Sequence, residues 1–182
     1  GRTCRGRSDT GEPHSAAASA MLHGEATKLY SIKPTSDIDV SDPALSEAWA
    51  RVRSGQSSWV VFSYALPSKT RIAVRAEGAD SLDTLVAHLD ENSVCYGGFY
   101  AHTPTGDKFV FLAHVGASVG GMLRGKAAMH RQDMESFCEG TKAAVHVDGE
   151  DDPLTAEDLK GRVRKLLGEE NVSFNWSEVA SR

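Results

Sequence analysis

The sequence predicts an α+β domain in which one mixed β-sheet has helices available for both of its faces. Three observations lead to this prediction. Strand patterns come mostly in pairs joined by short turns, helix patterns stand between the pairs, and two of the strand patterns are apolar on both faces. Since hairpins dominate, the pattern indicates a mixed sheet rather than a doubly wound parallel one.

The first elements are a helix and a pair of strands. Ser41-Asp42-Pro43 supplies cap residues and a first-turn proline, which predicts a helix through about Arg53. The run Ser58–Tyr64 (SWVVFSY) is apolar on both faces for most of its length, as is typical of a central strand. Thr70–Ala76 alternates between apolar and charged residues, so it predicts a more peripheral strand.

The second part of the domain contains another strand pair, a long helix, a strand and a last helix. The predicted elements are a short helix capped by Ser81, strands at 94–103 and 108–115, a helix at 119–139, a strand at 143–147 and a helix that begins near Thr155. The strand at 108–115 (KFVFLAHV) is apolar almost throughout and is therefore predicted to be central. Thr155 and Asp158 resemble a capping box with a shorter acid.

Two terminal segments lack the patterns of a folded domain, which places the domain at residues 41–168. Residues 1–40 contain a single aromatic residue, Tyr30, and few large aliphatic ones, so we predict a disordered N-terminal extension. Residues 169–182 carry Phe174 and Trp176 without a clear period, and we predict a flexible C-terminal tail.

Composition excludes several classes of protein. The 182 residues have a formal net charge of −5, which argues against a general nucleic-acid binder. No stretch approaches the ~18 consecutive apolar residues of a membrane span. The three cysteines, Cys4, Cys95 and Cys138, form no C-x-x-C pair, which disfavours a disulfide framework or zinc site and favours the cytoplasm.

One motif suggests an enzyme. Gly116–Gly120 matches the G-x-S-x-G nucleophile elbow between a strand and a helix, so a small serine hydrolase that uses Ser118 is a hypothesis from a different class. Only His130 and His146 lie downstream as the required histidine, with Asp133 as the one acid that precedes a histidine. His130 and Asp133 would share one helix, and only one strand follows Ser118. The simpler interpretation is that Ser118 caps the following helix.

Two further motifs fail on their details, so we predict no cofactor and no metal. Gly120–Lys126 fits G-x-x-x-x-G-K, but Ala127 stands where a phosphate loop needs Ser or Thr. The acidic run Asp148–Asp152 lacks the spacing of a calcium loop, and the seven histidines never pair at i, i+4.

The clearest remaining feature is an uneven distribution of charge. No Asp or Glu occurs from Lys108 to Gln132, although this window contains Arg124, Lys126 and Arg131. The window is either a face for an acidic partner or simply buried strand and glycine turn, and the sequence leaves both interpretations open. On the long helix, Met122 points away from the apolar stripe, so it belongs either to a docking surface or to the core.

Several of these stretches together resemble a known family. Ser58–Tyr64, Tyr96–Tyr100, Lys108–Gly116 and Val119–Lys126 resemble the actin-depolymerising factor homology (ADF/cofilin) domain, and within it the coactosin branch. The resemblance covers about residues 42–167. It implies a five- or six-stranded mixed sheet between helices (the gelsolin-like fold), no catalysis, no cofactor, and binding to the side of actin filaments. We therefore expect a monomeric, cytoplasmic protein of the actin cytoskeleton.

The resemblance also implies a site. In coactosins a lysine at the start of the fourth strand is central to filament binding, and Lys108 matches it. The Arg-x-Lys of the following segment matches Arg124 and Lys126, and these lie near Lys108 if the long helix packs alongside the strand. Met122 and Arg131 complete the expected actin-binding residues.

Two departures from the family pattern bear on function. Depolymerising members carry lysines just before the methionine of the long helix, whereas Val119-Gly120-Gly121 precede Met122 here. This favours the coactosin type over the alternative, a cofilin-like factor that binds actin monomers and severs filaments. His114 stands where coactosins have a tryptophan.

Overall fold

The computed structural model describes residues 33–149 and 153–176. Its helices are α1 (Pro43–Arg53), α2 (Leu82–Ala87), α3 (Gly121–Phe137) and α4 (Ala156–Leu167), and its strands are β1 (Trp59–Tyr64), β2 (Ile72–Gly78), β3 (Val94–Thr103), β4 (Gly106–Val115) and β5 (Thr141–Asp148). Each predicted element is therefore present, with ends that differ from the prediction by a few residues.

The five strands form one mixed sheet in the order β2-β1-β3-β4-β5. The pairs β1–β2, β1–β3 and β3–β4 are antiparallel, whereas β4 and β5 run parallel because α3 carries the chain back between them. The central position of β1 explains why Trp59 and Phe62 are both buried, as the apolar strand pattern predicts.

Helices cover both faces of the sheet. On one face, the ring of Trp49 in α1 packs on Phe109, and the Tyr96 hydroxyl donates to the Ala127 carbonyl of α3 over 2.9 Å. On the other face, Cys95 lies against the carbonyl of His88, at the end of α2. Since α4 contacts α2 and β5, it belongs to this second layer.

Local signals at the helix ends explain where the helices begin. The Asp42 side chain accepts a hydrogen bond from the Ala44 N–H ahead of α1, with Pro43 as the first helical residue. At α4, Thr155 and Asp158 form the predicted capping box, and Gly168 ends the helix at φ 67°. Each such N-cap contributes about 1 kcal/mol.

The folded region extends beyond both predicted boundaries. Ile38 is buried, and the Asp39 N–H donates to the Thr70 carbonyl over 2.8 Å, so part of the predicted N-terminal extension packs on the sheet. At the other end, Phe174 and Trp176 are buried. The boundaries at 41 and 168 are wrong because both segments obtain their apolar and hydrogen-bond partners from distant parts of the chain. The remainder of the two predicted tails, residues 1–32 and 177–182, lies outside the described residues.

Candidate functional site

Lys108 lies at the hairpin end of the sheet, where the resemblance placed it. It is the third residue of β4, opposite Ala101 of β3, and its side chain is half-buried. Phe109 points towards Trp49 and the α1–α3 layer. Because side chains alternate along a strand, Lys108 points to the opposite face, which α2 and α4 cover.

The C-terminal end of α4 reaches the same end of the same face. The Thr105 hydroxyl in the β3–β4 hairpin donates to the Glu169 carboxylate over 3.2 Å, and the Glu169 N–H bonds to the carbonyl of Arg164. The last turns of α4 therefore stand beside the strand that carries Lys108.

We call this region the hairpin–α4 surface and define it as Lys108, Arg162, Arg164, Lys165 and Leu166. Its three α4 cations are exposed, and Leu166, on the same helix, is 53% exposed. Among the described residues, none of its four cations takes part in an ion pair. The surface thus combines unpaired positive charge with an apolar contact point.

The α4 residues of this surface were not predicted from the sequence. A signal was present, since no Asp or Glu occurs between Asp158 and Glu169 while four Lys or Arg do. This second acid-free window is shorter than the one at 108–132 and coincides with an amphipathic helix. A basic solvent-exposed face is an ordinary feature of such a helix, so this window does not by itself indicate a binding surface when only the sequence is known.

A second exposed surface surrounds the start of α3. The side chains of Met122 and Met129 are 72% and 63% exposed, and they share a helix face at i, i+7. Leu66 is also exposed, and the Lys69 ammonium lies 3.7 Å from the Met122 sulfur. Met122 is therefore not a core residue, and we call these four residues the α3 surface.

Arg124 and Lys126 are engaged within the fold. Arg124 forms an ion pair with Asp148 at the end of β5 and donates to the Gly116 carbonyl over 3.0 Å. The Lys126 ammonium lies 2.7 Å from the Asp37 carboxylate. Each cation thus neutralises a carboxylate of its own chain, which reduces the charge that it offers to a partner.

The structure separates the residues that the sequence grouped around Lys108. Because β4 and β5 are parallel, α3 runs back against β4, and Arg124 lies next to Gly116, just beyond the far end of β4. Seven residues of extended strand, roughly 23 Å, lie between Lys108 and that end. The expectation that Arg124 and Lys126 lie near Lys108 is wrong, since it left out the direction of the helix.

Arg131 lies on a third feature, a groove between α3 and β5. The groove has a volume of about 590 Å³, and its walls include Arg131, Glu135, Thr141 and His146. The side chains of Glu135 and His146 approach to 3.9 Å across it. Arg131 therefore lies on the wall of this groove, more than one turn beyond the first turn of α3.

Carboxylates fasten residues 35–37 to α3. Asp133 accepts hydrogen bonds from the backbone and hydroxyl groups of Thr35 and Ser36. The His130 ring is fully buried. One of its ring nitrogens forms a hydrogen bond with the Asp37 carboxylate and the other with the Tyr64 hydroxyl, each over 2.7 Å. Hydrogen bonds from Lys126 and then His130 lower the pKa of Asp37 to about 2.

The two enzyme-like motifs have other structural roles. Ser118 lies in the loop after β4, where its N–H donates to the Glu91 carbonyl, and the cap of α3 is Gly120, so Ser118 is not the cap. Both ring nitrogens of His130 are already engaged, so His130 is not a free base for Ser118. Residues 121–126 are helical, so they cannot wrap a phosphate as a loop.

Two searches confined to residues 33–149 and 153–176 gave negative results. No helix in these ranges is long and apolar enough to cross a membrane. No group of three or more His, Cys, Asp or Glu side chains in them is placed to hold a metal ion.

Comparisons with known proteins agree with the architecture. A family described as cofilin/tropomyosin-type actin-binding protein matches residues 37–164. Coactosin of Dictyostelium discoideum is 27% identical over 138 residues, which cover 71% of this chain and 92% of that protein. A drebrin-like protein of the same organism is 26% identical over 117 residues, 63% of this chain but only 24% of that longer relative.

Solved structures show the same fold at low sequence identity. Human coactosin-like protein superposes with a TM-score of 0.60 at 18% identity, over 70% of this chain and 98% of that one. Coactosin from Entamoeba histolytica gives a TM-score of 0.58 at 18% identity, over 72% and 98% of the two chains.

Proposed function

Because the chain belongs to the cofilin/tropomyosin-type actin-binding family, we propose that it binds the side of actin filaments in the manner of a coactosin. It acts without catalysis or a cofactor, as a cytoplasmic component of the actin cytoskeleton. The contact is made by the hairpin–α4 surface, and Lys108 is its central residue.

The observation that supports this assignment is that Lys108 is partly buried and has no ion-pair partner among the described residues. Its stem is half-buried in the hairpin, and no carboxylate of the described chain pairs with its ammonium. Arg124 and Lys126, by contrast, form ion pairs with Asp148 and Asp37, which neutralise much of their charge. An acidic partner such as actin therefore gains most from Lys108 and the cations of α4.

The α3 surface serves as a second, weaker contact in this proposal. Met122 and Met129 offer exposed, adaptable apolar groups, and Lys69 supplies a charge beside them. Arg124, Lys126 and Arg131 act at the periphery of such a contact and change mainly its encounter rate and salt dependence. The cofilin-like alternative is not favoured, since the curated relative that this chain matches over most of its length is a coactosin.

Filament co-sedimentation of the Lys108→Glu variant tests the proposal. We expect a loss of about 2–5 kcal/mol in binding free energy, because the change removes a desolvated attraction and adds a repulsion. The Lys108→Ala variant should lose less. Lys69→Glu makes the same change of charge on the α3 surface and should cost less than Lys108→Glu.

Thermal melts serve as the folding control. Lys108 forms no ion pair among the described residues and keeps part of its side chain in solvent, so Lys108→Glu should melt close to wild type. A Lys108→Glu protein that melts like wild type and still pellets with filaments would contradict the hairpin–α4 assignment. If Lys69→Glu alone abolished pelleting, the α3 surface would be the main contact instead.

A further inference from the structure

The tip of the β3–β4 hairpin carries a Thr-Pro pair. Thr103 is the last residue of β3, Pro104 follows it in the turn, and no other Ser or Thr of the sequence stands directly before a proline. Pro104, Thr105, Gly106 and Asp107 are all exposed, and Thr103 is half-buried beside them. Proline favours extended backbone in the residue before it and has no N–H of its own. The pair is therefore an accessible segment whose first residue is already extended.

The side chain of Thr103 points to the same face of the sheet as that of Lys108. The β3–β4 ladder is regular, with Ala101 opposite Lys108 and Thr103 opposite Gly106, so Thr103 stands two residues along from the partner of Lys108. Asp107 lies between these positions and points to the other face. Diagonal neighbours of this kind are about 7–8 Å apart, which a lysine side chain spans. Lys108 can therefore reach a group attached to Oγ1 of Thr103.

The Thr103 hydroxyl also lies at the junction between the hairpin and α4. It donates to the Gly106 carbonyl over 2.7 Å and lies 3.1 Å from the Thr105 hydroxyl, which in turn donates to the Glu169 carboxylate. A negatively charged group on Thr103 is therefore attracted by Lys108 and repelled by Glu169.

We propose that Thr103 is the target of a proline-directed protein kinase and that its phosphorylation inactivates the hairpin–α4 surface. This inference rests on the proposed function, in which that surface contacts actin. In the reaction, Oγ1 of Thr103 attacks the γ-phosphorus of ATP, the bond from that phosphorus to the bridging oxygen breaks, and ADP leaves. The hydroxyl proton passes to the catalytic carboxylate of the kinase.

The phosphoryl group acts on the surface in two ways. It brings a charge of about −1.5 to −2 within reach of Lys108, whose ammonium then pairs within its own chain instead of with an acidic partner. It also repels Glu169, which weakens the link through Thr105 between the hairpin and the last turn of α4. The dissociation constant for filaments should therefore rise about 10- to 100-fold.

Incubation of the full chain with MgATP and either a cyclin-dependent kinase or a mitogen-activated protein kinase tests the site. Fragment mass spectrometry should locate one phosphoryl group on Thr103. Thr105→Ala removes the neighbouring hydroxyl and should leave the incorporation unchanged, whereas Thr103→Ala should abolish it. If both kinases leave Thr103 of the wild-type chain unmodified, the proposal is overturned.

Phosphorus NMR tests the contact with Lys108 in the absence of actin. The second pKa of an exposed phosphothreonine is about 6. Pairing with the Lys108 ammonium should lower the pKa of the phosphate on Thr103, and Lys108→Ala should return it to about 6. The same titration curve in both proteins would refute the pairing.

Filament co-sedimentation then compares phosphorylated with unmodified protein. Thr103→Glu carries one charge rather than two and should weaken pelleting less than phosphorylation does. Ser118→Glu adds the same charge at an exposed position beyond the far end of β4 and should pellet close to wild type. If unmodified protein does not pellet, the proposed function fails, and the phosphorylation site stands or falls on the mass spectra and the titration. If both forms pellet equally well, the proposed function survives and the regulation by Thr103 is refuted.

Discussion

Replacing Trp176 by alanine should destabilise the domain as strongly as a change in its centre. The indole is 2% exposed, packs against the rings of Phe99 and Tyr100, and donates through Nε1 to the Tyr100 carbonyl over 2.9 Å. Removing a buried tryptophan costs about 3–5 kcal/mol, and the unpaired carbonyl adds about 1 kcal/mol. The sum is a large part of the ~5–15 kcal/mol that stabilises a typical domain.

Urea unfolding followed by circular dichroism measures the effect. The midpoint should fall with little change in the m-value, since most of the surface exposed on unfolding is the same. Trp176→Phe keeps most of the apolar burial and loses only the N–H donor, so its cost should be about 1–2 kcal/mol. Asn175→Ala alters the exposed neighbouring residue and should stay within about 0.5 kcal/mol of wild type. A similarly small effect of Trp176→Ala would refute the docked position of this segment.

Two more predictions concern stability. Deleting residues 1–40 should cost at least about 2 kcal/mol because it removes the buried Ile38 and the contacts to Asp133, whereas a midpoint like that of wild type would show that this segment does not hold the fold. Burial lowers the pKa of His114 below its ordinary value of 6.5, so the fold favours the neutral ring, and stability should decline as the pH falls through and below 6.5. His114→Phe should flatten this decline between pH 7 and pH 5 in thermal melts, and an unchanged slope would assign the decline to other groups.

The elements that the sequence predicts well are those with local causes. Each of these signals lies inside or next to the helix or strand that it predicts. They are the capping box of Thr155 and Asp158 at the start of α4, the Asp42 cap of α1 and the apolar run of β1. These signals depend on helix and strand geometry alone. They recover every helix and strand of the described domain.

The misplaced boundaries have non-local causes. Thr35 and Ser36 are fastened by Asp133, almost a hundred residues away, and nothing near them in the sequence indicates that partner. The C-terminal segment did contain a usable signal. Val172, Phe174 and Trp176 alternate with polar residues, a period of two that predicts an edge segment with one buried face.

Of the five residues of the hairpin–α4 surface, only Lys108 was predicted from the sequence. Lys108 followed from the resemblance to a family, and its position on the hairpin agrees with that expectation. The distance between Lys108 and Arg124 depends on the direction of α3 relative to β4, which requires the sheet topology. Their ion-pair partners, Asp148 and Asp37, likewise appear only when the chain is folded.

The docked C-terminal segment has a consequence for biosynthesis. Trp176 covers Tyr100, which the ribosome incorporates 76 residues earlier. At translation rates of about 5–20 residues per second, the nascent chain leaves this aromatic surface of β3 uncovered for roughly 4–15 seconds. During that interval the ring contacts of Phe99 and Tyr100 with Trp176 are missing, so a product that ends before Val172 should be prone to aggregation.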